Sequence, residues 1–179
     1  MKHALLLATA LFATGLIAGA FTPTSFLDKI TGIQELVQSL QSLTPVDLFF
    51  FILINNVVAL SIAFVLSPIF CVVPVASLLG NGWLIALASS AALEQESLGY
   101  VLVGIMPHGV IEITALLLAM AASIRFGSNL IAAVFKGEKR AQVIPVLVES
   151  ARYLGIALLI LPAAALVETF ITPLLLGLV

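Results

Sequence analysis

The residues of this sequence best suited to chemistry are His108 and Glu112, which lie in the otherwise apolar stretch Gly104–Glu112. On a helix, a spacing of four residues puts both side chains on one face, one turn apart, where they can hydrogen-bond or point at a common ligand. Ionisable groups at membrane depth are costly and normally face the protein interior. We therefore predict that this stretch forms one wall of a functional site.

Four further polar residues interrupt apolar runs elsewhere in the chain: Asn55, Asn56, Asn81 and Glu168. With a rise of about 1.5 Å per residue, Asn55, Asn81 and Glu168 come out about 12 to 18 Å below the outer membrane surface. His108 and Glu112 come out at about 15 and 21 Å. Exposing all these groups to lipid would be prohibitive, so we expect them to share one polar core.

These residues allow two kinds of chemistry. His108, Glu112 and Glu168 could hold a divalent cation such as zinc and leave a position open for water, or they could relay protons. Residues 108–112 read His-Gly-Val-Ile-Glu and lack the HExxH ligand motif. No nucleophile–base pair is evident, so the sequence predicts no enzyme and no cofactor beyond such a cation, with metal-dependent catalysis inside the membrane as the alternative. A network that only specifies helix packing is the simplest interpretation.

The elements that hold these residues follow from composition. Of the 179 residues, 62% are hydrophobic and 9% are charged, whereas a soluble domain carries roughly 25% charged residues. We therefore predict an all-α, polytopic membrane protein with residues 1–179 in a single membrane domain. Nucleic-acid binding has no support. Cys71 is the only cysteine, which excludes an intrachain disulfide.

Five apolar runs are long enough to cross a bilayer core, which needs about 20 helical residues. The predicted spans are residues 3–21, 47–66, 69–93, 98–123 and 153–177. The first run also fits a secretory signal peptide, but the apolar region of such peptides usually spans about 7 to 15 residues, so a retained helix is favoured. Between the first two spans, apolar residues at helical spacing predict a short amphipathic helix on the membrane surface: Ile30, Ile33, Leu36, Val37 and Leu40.

Prolines and glycines inside the spans are expected to shape the helices around the polar core. Pro74 and Gly80-Asn81-Gly82 predict a kinked or broken third span, which is tolerated at membrane depth only where protein or a water-filled cavity satisfies the backbone. Pro107 and Gly109 should loosen the helix around the histidine between them. Pro162 should kink the last span.

Charge placement predicts the orientation. Five of the seven basic residues fall on one side of the fourth and fifth spans: Arg125, Lys136, Lys139, Arg140 and Arg152. By the positive-inside rule that side is cytoplasmic, which puts the N-terminus and the 124–142 loop inside the cell and the C-terminus outside. The fourth span also has small residues at the spacing that favours close helix packing, on which basis we expect a homodimer: Ala115, Ala119, Ala122 and Ser123.

Several of these motifs resemble the stage II sporulation protein M family over roughly residues 45–175. The matching features are Asn55-Asn56, Asn81-Gly82, Pro107-His108-Gly109 with Glu112, and Glu168 followed by Phe170-Ile171-Thr172-Pro173. The resemblance implies a multi-pass membrane protein. In spore-forming bacteria the family member is similar to a scaffold for peptidoglycan-degrading partners during engulfment. The resemblance implies no catalytic residue.

Two functions are compatible with these features. The first is a scaffold or assembly factor in the cytoplasmic membrane, whose polar core specifies helix packing and whose cell-envelope protein partners dock on the amphipathic segment or the basic loop, with membrane lipids around it. The second is a channel or transporter for a small ion, proton or solute, since a broken span beside a shared polar layer is typical of transport sites. The scaffold is the preferred prediction, because no nucleotide-binding motif or recognised metal motif is present.

Overall fold

The computed structural model describes residues 1–30, 32, 35, 38–40 and 42–178. Within these residues the chain is helical and has no strand. The α-helices are α1 Lys2–Ala20, α2 Pro45–Val65, α3 Val72–Leu93, α4 Leu98–Phe135, α5 Val143–Leu166 and α6 Thr172–Leu176. Short 3₁₀ helices cover Thr24–Lys29 and Gly137–Gln142, and a π-helical turn, Val167–Ile171, joins α5 to α6.

In the described chain, five helical stretches are long and apolar enough to cross a membrane: Lys2–Ala20, Pro45–Val65, Val72–Leu93, Leu98–Phe135 and Gly137–Leu176. Capping side chains set two of the starts. Thr44 Oγ1 accepts from the backbone N–H of Asp47 at 3.2 Å before α2, and Ser97 Oγ accepts from the N–H of Tyr100 at 3.1 Å before α4. The prediction of an all-α protein with five apolar spans is confirmed.

The last two spans are longer helices than the sequence predicted. α4 continues beyond residue 123 to Phe135, and the final stretch is helical from Val143 rather than from residue 153. Charge does not end these helices because Arg125 on α4 faces Glu149 on α5. The two side chains form two hydrogen bonds, of 2.5 and 2.6 Å, in the fork geometry that arginine makes with a carboxylate. Pairing therefore lets both helices continue through their charged residues.

The prediction of a kinked or broken third span is wrong about the break, since α3 is one continuous helix through Gly80 and Gly82. Pro74 lies in its first turn, where backbone N–H groups have no intrahelical partner and proline is tolerated. Pro107 and Pro162 also lie inside continuous helices, α4 and α5. Membrane helices tolerate such prolines because neighbouring helices and side chains satisfy the freed backbone groups.

The glycines of α3 and α1 instead let these two helices pack at close range. A Cβ on Gly82 would clash with the carbonyl oxygen of Phe12, and a Cβ on Gly15 would clash with that of Leu79. α1 carries two glycines four residues apart, Gly15 and Gly19, which is the spacing that membrane helices use for close approach. The first apolar run is therefore an integral part of the helical bundle.

α4 lies at the centre of the bundle and contacts α1, α2, α3, α5 and α6. Its small residues are completely buried against neighbouring helices of the same chain: Ala115, Ala119, Ala122 and Ser123. These side chains fill the interior, where a larger residue would separate the helices. They are not available to a second copy, so the reason given above for a homodimer is wrong.

The segment that follows α1 packs against the end of α3. Trp83 Nε1 donates to Thr22 Oγ1 at 2.9 Å, and Thr24 Oγ1 donates to Glu94 Oε1 at 2.8 Å. The predicted amphipathic helix rests largely on residues outside the described part of the chain: Ile33, Leu36 and Val37.

Candidate functional site

Two elements bring three ionisable side chains together. α4 carries His108 and Glu112 one turn apart on one face, and the π-helical turn after α5 carries Glu168. One ligand atom from each side chain, an imidazole nitrogen or a carboxylate oxygen, lies within 4.8 Å of the other two. All three side chains are partly buried. The three groups can therefore act on a single ligand.

The π-helical turn shapes the site around Glu168. A π turn changes the helical phase and re-aims the side chains in it, and such turns are frequent at functional sites. Thr172 Oγ1 donates to the carbonyl oxygen of Val167 at 3.2 Å and lies 3.4 Å from His108 Nδ1. With the hydroxyl proton donated to Val167, the hydroxyl oxygen can accept from His108 in the tautomer that carries its proton on Nδ1. Nε2 of His108 is then the nitrogen left to accept a proton or a cation.

Only one of the two adjacent asparagines joins this cluster. The side chain of Asn56 lies close to the carboxylate of Glu112. Asn55 points about 100° away around the helix axis. It is exposed on the outside of the bundle and has no hydrogen-bond partner among the described residues. The structure thus places Asn56 in the polar core and Asn55 outside it, contrary to the prediction that both share it.

Two cavities meet at Glu112. One, the Asn56 cavity, has a volume of about 50 Å³ and extends from Glu112 and Asn81 toward Asn56. The other, the His108 cavity, has a volume of about 210 Å³ and extends from the same two residues toward His108. Since one water needs roughly 10–15 Å³ of such volume, the smaller cavity has room for a few waters. Polar groups are therefore in reach of a small ligand on both sides of Glu112.

Asn81 borders both cavities without bonding to the carboxylates. Its Nδ2 donates to the carbonyl oxygen of Ser77 at 2.8 Å, one turn earlier on α3. The amide oxygen of Asn81 therefore keeps its acceptor capacity for a ligand. Ser77 also lines the Asn56 cavity. Asn81 is thus an exposed wall of both cavities rather than a buried partner of Glu112.

The three ligand atoms suit a divalent cation. An imidazole nitrogen with two carboxylate oxygens leaves further coordination positions open. Zinc lies about 2.0–2.2 Å from each ligand atom, which puts tetrahedral ligands about 3.5 Å apart. Ligand atoms within 4.8 Å of one another can close around such an ion by side-chain shifts of about 1 Å. A divalent cation would also neutralise two carboxylates in an interior where unpaired charge is costly.

Sequence reasoning missed Thr172 and the π-helical turn that positions it. One signal was present, because Pro173 follows Thr172 directly. Pro173 has no backbone N–H, so it cannot donate the α-helical hydrogen bond to the carbonyl oxygen of Thr169. An irregular helix is therefore favoured just before Pro173. Ser77 was missed as well, since a serine in an apolar helix gives no sign that its carbonyl oxygen orients a neighbouring asparagine.

Comparison with known proteins supports a family assignment. The model of the family described as Stage II sporulation protein M matches residues 8–173 of the 179-residue chain. No curated protein and no solved structure matches the chain significantly. The matched range contains His108, Glu112 and Glu168 together with Asn56 and Asn81.

Proposed function

We propose a function for this chain, which belongs to the stage II sporulation protein M family. It is a protein of the cytoplasmic membrane that binds a divalent cation in its polar core and transports it. The observation that carries the proposal is the approach of ligand atoms from His108, Glu112 and Glu168 to within 4.8 Å inside the helical bundle. In this proposal the cation is cargo, and the protein is not an enzyme.

The cavities favour transport over a permanently bound structural ion. Glu112 borders both the His108 cavity and the Asn56 cavity. A cation held by Glu112 can therefore exchange His108 in one cavity for the amide oxygen of Asn56 in the other, while Asn81 borders both cavities. Conduction needs binding that is strong enough for entry and weak enough for release. Ligand atoms spaced more widely than tight zinc coordination requires fit that need.

The charge pattern supports an orientation for this transport. The N-terminus and residues 124–142 face the cytoplasm, and the C-terminus faces outside, as the positive-inside rule expects. The hydrogen bond between Thr24 and Glu94 joins two segments that this topology places on the outer side. The pair of Arg125 and Glu149 joins α4 and α5 toward their cytoplasmic ends. Cargo released into the His108 cavity is on the outer side of Glu112.

The direct test is uptake of Zn²⁺ into liposomes that contain the purified protein, with the Glu112→Gln variant as comparison. Elemental analysis of the protein after equilibration with Zn²⁺ reports whether it binds about one divalent cation per chain, as expected for one cluster of three ligands.

A further prediction concerns Thr172, the residue that orients His108. Thr172→Val should weaken Zn²⁺ binding about tenfold, since groups that orient a metal ligand are typically worth 10–100-fold in metal affinity. Valine keeps the shape of threonine but removes the hydroxyl that lies 3.4 Å from His108 Nδ1. Isothermal titration of the purified protein with Zn²⁺ measures the change.

Thr114→Val is the matched control for this change. The Thr114 hydroxyl donates to the carbonyl oxygen of Val110 within α4 and is exposed on the outside of the bundle. Its loss should leave the affinity for Zn²⁺ unchanged. Equal affinities of Thr172→Val and the wild type would contradict the role assigned to Thr172.

A scaffold or assembly factor is the second candidate function. The approach of Asn56 to Glu112 brings α2 and α4 together, and the contact between His108 and Thr172 links α4 to α6. Such contacts can specify helix packing on their own. The small volume of the Asn56 cavity, about 50 Å³, is also compatible with a polar network that only packs helices. Envelope-protein partners would then dock on the basic loop at residues 136–142 or on the segment before α2.

The exposed face of α2 supports a homodimer as the oligomeric state. Asn55 lies about 15 Å from the start of α2, near mid-membrane. Its exposed neighbours follow the alternating spacing of four and three residues that is typical of helix–helix seams: Phe51, Val58 and Ile62. An asparagine side chain both donates and accepts hydrogen bonds. The Asn55 side chains of two copies can therefore hydrogen-bond to each other.

Asn55→Leu should therefore weaken self-association in detergent about tenfold, because a hydrogen bond between membrane helices is worth about 1–2 kcal/mol. Thr14→Leu is the control, since Thr14 is also exposed but bonds to the carbonyl oxygen of Ala10 in its own helix. Light scattering over a range of protein-to-detergent ratios measures the mass. A dimer that is equally strong in Asn55→Leu, or no dimer in the wild type, would contradict this interface.

A further inference from the structure

A third cavity, of about 380 Å³, lies where the 3₁₀ segment Gly137–Gln142 bridges the end of α4 and the start of α5. Among the residues that the structure describes, its lining combines donor side chains with two apolar residues: Arg125, Ser128, Asn129, Lys139 and Gln142, with Ala132 and Val146. That lining includes no carboxylate. We name this cavity the basic pocket, because its donors suit an anion.

The charges around the basic pocket also favour an anion. Arg125 is held by Glu149 through two hydrogen bonds, so this pair is neutral and fixes the guanidinium. Lys139 has no carboxylate within ion-pair distance in the part of the chain that the structure describes. The other charged residues at positions 136–142 are Lys136, Glu138 and Arg140. Positive charge therefore exceeds negative charge around the pocket.

Asn129 adds a second requirement for the ligand. Its Oδ1 atom is buried and has no hydrogen-bond partner. A buried acceptor without a partner is costly, and a ligand that donates to it removes the cost. A phosphate group with a neighbouring hydroxyl offers acceptors to Lys139. The hydroxyl would donate to Asn129 Oδ1 once the amide turns toward the pocket, which its side-chain torsion allows. The pocket thus suits a glycerophosphate group better than a simple anion that carries acceptors only.

Exposed apolar side chains flank the pocket residues along the chain and favour a lipid as the source of this group. Val134 and Phe135 end α4, Ile144 and Val148 begin α5, and all four are 64% to 76% exposed. Basic pockets between membrane helices on the cytoplasmic side are sites for anionic lipid headgroups. Acyl chains would lie along these apolar residues while the headgroup enters the pocket.

We infer that the basic pocket binds a phosphate group with a neighbouring hydroxyl, as in the headgroup of phosphatidylglycerol. The pocket shares no lining residue with the His108 or Asn56 cavity. The inference therefore does not depend on cation transport and is tested separately from it.

The test titrates delipidated protein in detergent with phosphatidylglycerol and with phosphatidylcholine, and follows bound lipid by native mass spectrometry. Wild-type protein should prefer phosphatidylglycerol. Lys139→Gln should bind it about fivefold more weakly, which is the scale of one lysine beside an anionic lipid surface. Lys136→Gln is the control, since Lys136 lies directly before the same segment but does not line the pocket. It should weaken binding less than Lys139→Gln does, because Lys139 lines the pocket and Lys136 does not.

Competition with glycerol phosphate identifies the source of the phosphate group. If soluble glycerol phosphate displaces phosphatidylglycerol, the pocket binds the phosphate group of a soluble ligand. If it does not, the pocket binds the group as part of a lipid. Equal weakening by Lys139→Gln and Lys136→Gln would show diffuse attraction to the basic segment. Equal binding of the two lipids by the wild type would show that the pocket does not select phosphate with a hydroxyl. Either of these last two results overturns the inference.

Discussion

Liposomes that contain the Glu112→Gln variant are expected to take up Zn²⁺ no faster than protein-free liposomes, whereas wild-type protein should give measurable uptake. Glutamine keeps the size of the side chain and can still hydrogen-bond to Asn56. It removes the negative charge that borders both cavities. Removing one member of a buried charged set costs about 3 kcal/mol or more, which corresponds to about a hundredfold in cation affinity. A zinc indicator trapped inside the liposomes measures uptake.

The same loss is expected for Glu168→Gln, because its carboxylate belongs to the same cluster. Glu96→Gln is the matched control: it makes the same chemical change at an exposed position just before α4 and should transport like the wild type. Thermal unfolding of each variant separates lost transport from lost folding. Replacing a partly buried carboxylate with an amide should not unfold the protein, since the amide has less charge to desolvate.

Two results would contradict cation transport. One is Glu112→Gln protein that takes up Zn²⁺ as fast as the wild type. The other is well-folded wild-type protein that gives no uptake of Zn²⁺, Mn²⁺ or protons. In the second case the scaffold function predicts that His108→Asn lowers the yield of folded protein, because the contact with Thr172 that links α4 to α6 is altered.

Gly82→Val is expected to lower the free energy of unfolding by about 1–3 kcal/mol or more, the usual cost of overpacking a tight interior. A Cβ at this position would overlap the carbonyl oxygen of Phe12. Backbone atoms cannot swing away as a flexible side chain does, so α1 and α3 must separate along their contact. Reversible unfolding in mixed micelles, followed by circular dichroism, measures the loss.

Gly80→Val is the matched control for this prediction. Gly80 lies two residues earlier on the same helix, and a Cβ there meets nothing within 4 Å. Both substitutions change helix propensity by the same amount. The difference between their free energies of unfolding therefore isolates the contact with α1. Gly80→Val should be as stable as the wild type or slightly more stable. If the two variants unfold at the same free energy, the close approach of α1 to α3 is not a source of stability.

The spacing of His108 and Glu112 was enough to predict that they lie side by side, since residues four apart on any helix share a face. Composition and the lengths of the apolar runs were enough to predict five apolar helices. A chain with 9% charged residues has too few polar side chains to expose most of its surface to water. Depth counting also placed Glu168 in the layer of that pair. These inferences succeeded because they rest on local geometry and on solvent, which act on each segment independently.

The errors share a different cause. The small face of α4 could equally have met a second copy or the helices of its own chain, and Gly80 and Gly82 could equally have broken α3 or allowed α1 to approach. Sequence offers no way to tell Asn55 from Asn56 when both lie in apolar surroundings. Each choice depends on which helix is the neighbour, and neighbours are set by packing across the whole bundle.

Segment type, approximate depth and the shared face of His108 and Glu112 can thus be read directly from the amino-acid order, because they depend on hydrogen-bond periodicity and on hydropathy within one helix. The cluster with Glu168 requires tertiary structure. Its ligand atoms meet only because α5 packs against α4 and ends in a π-helical turn that aims the carboxylate at His108 and Glu112. Contacts between distant segments are decided by complementary surfaces, which no single segment contains.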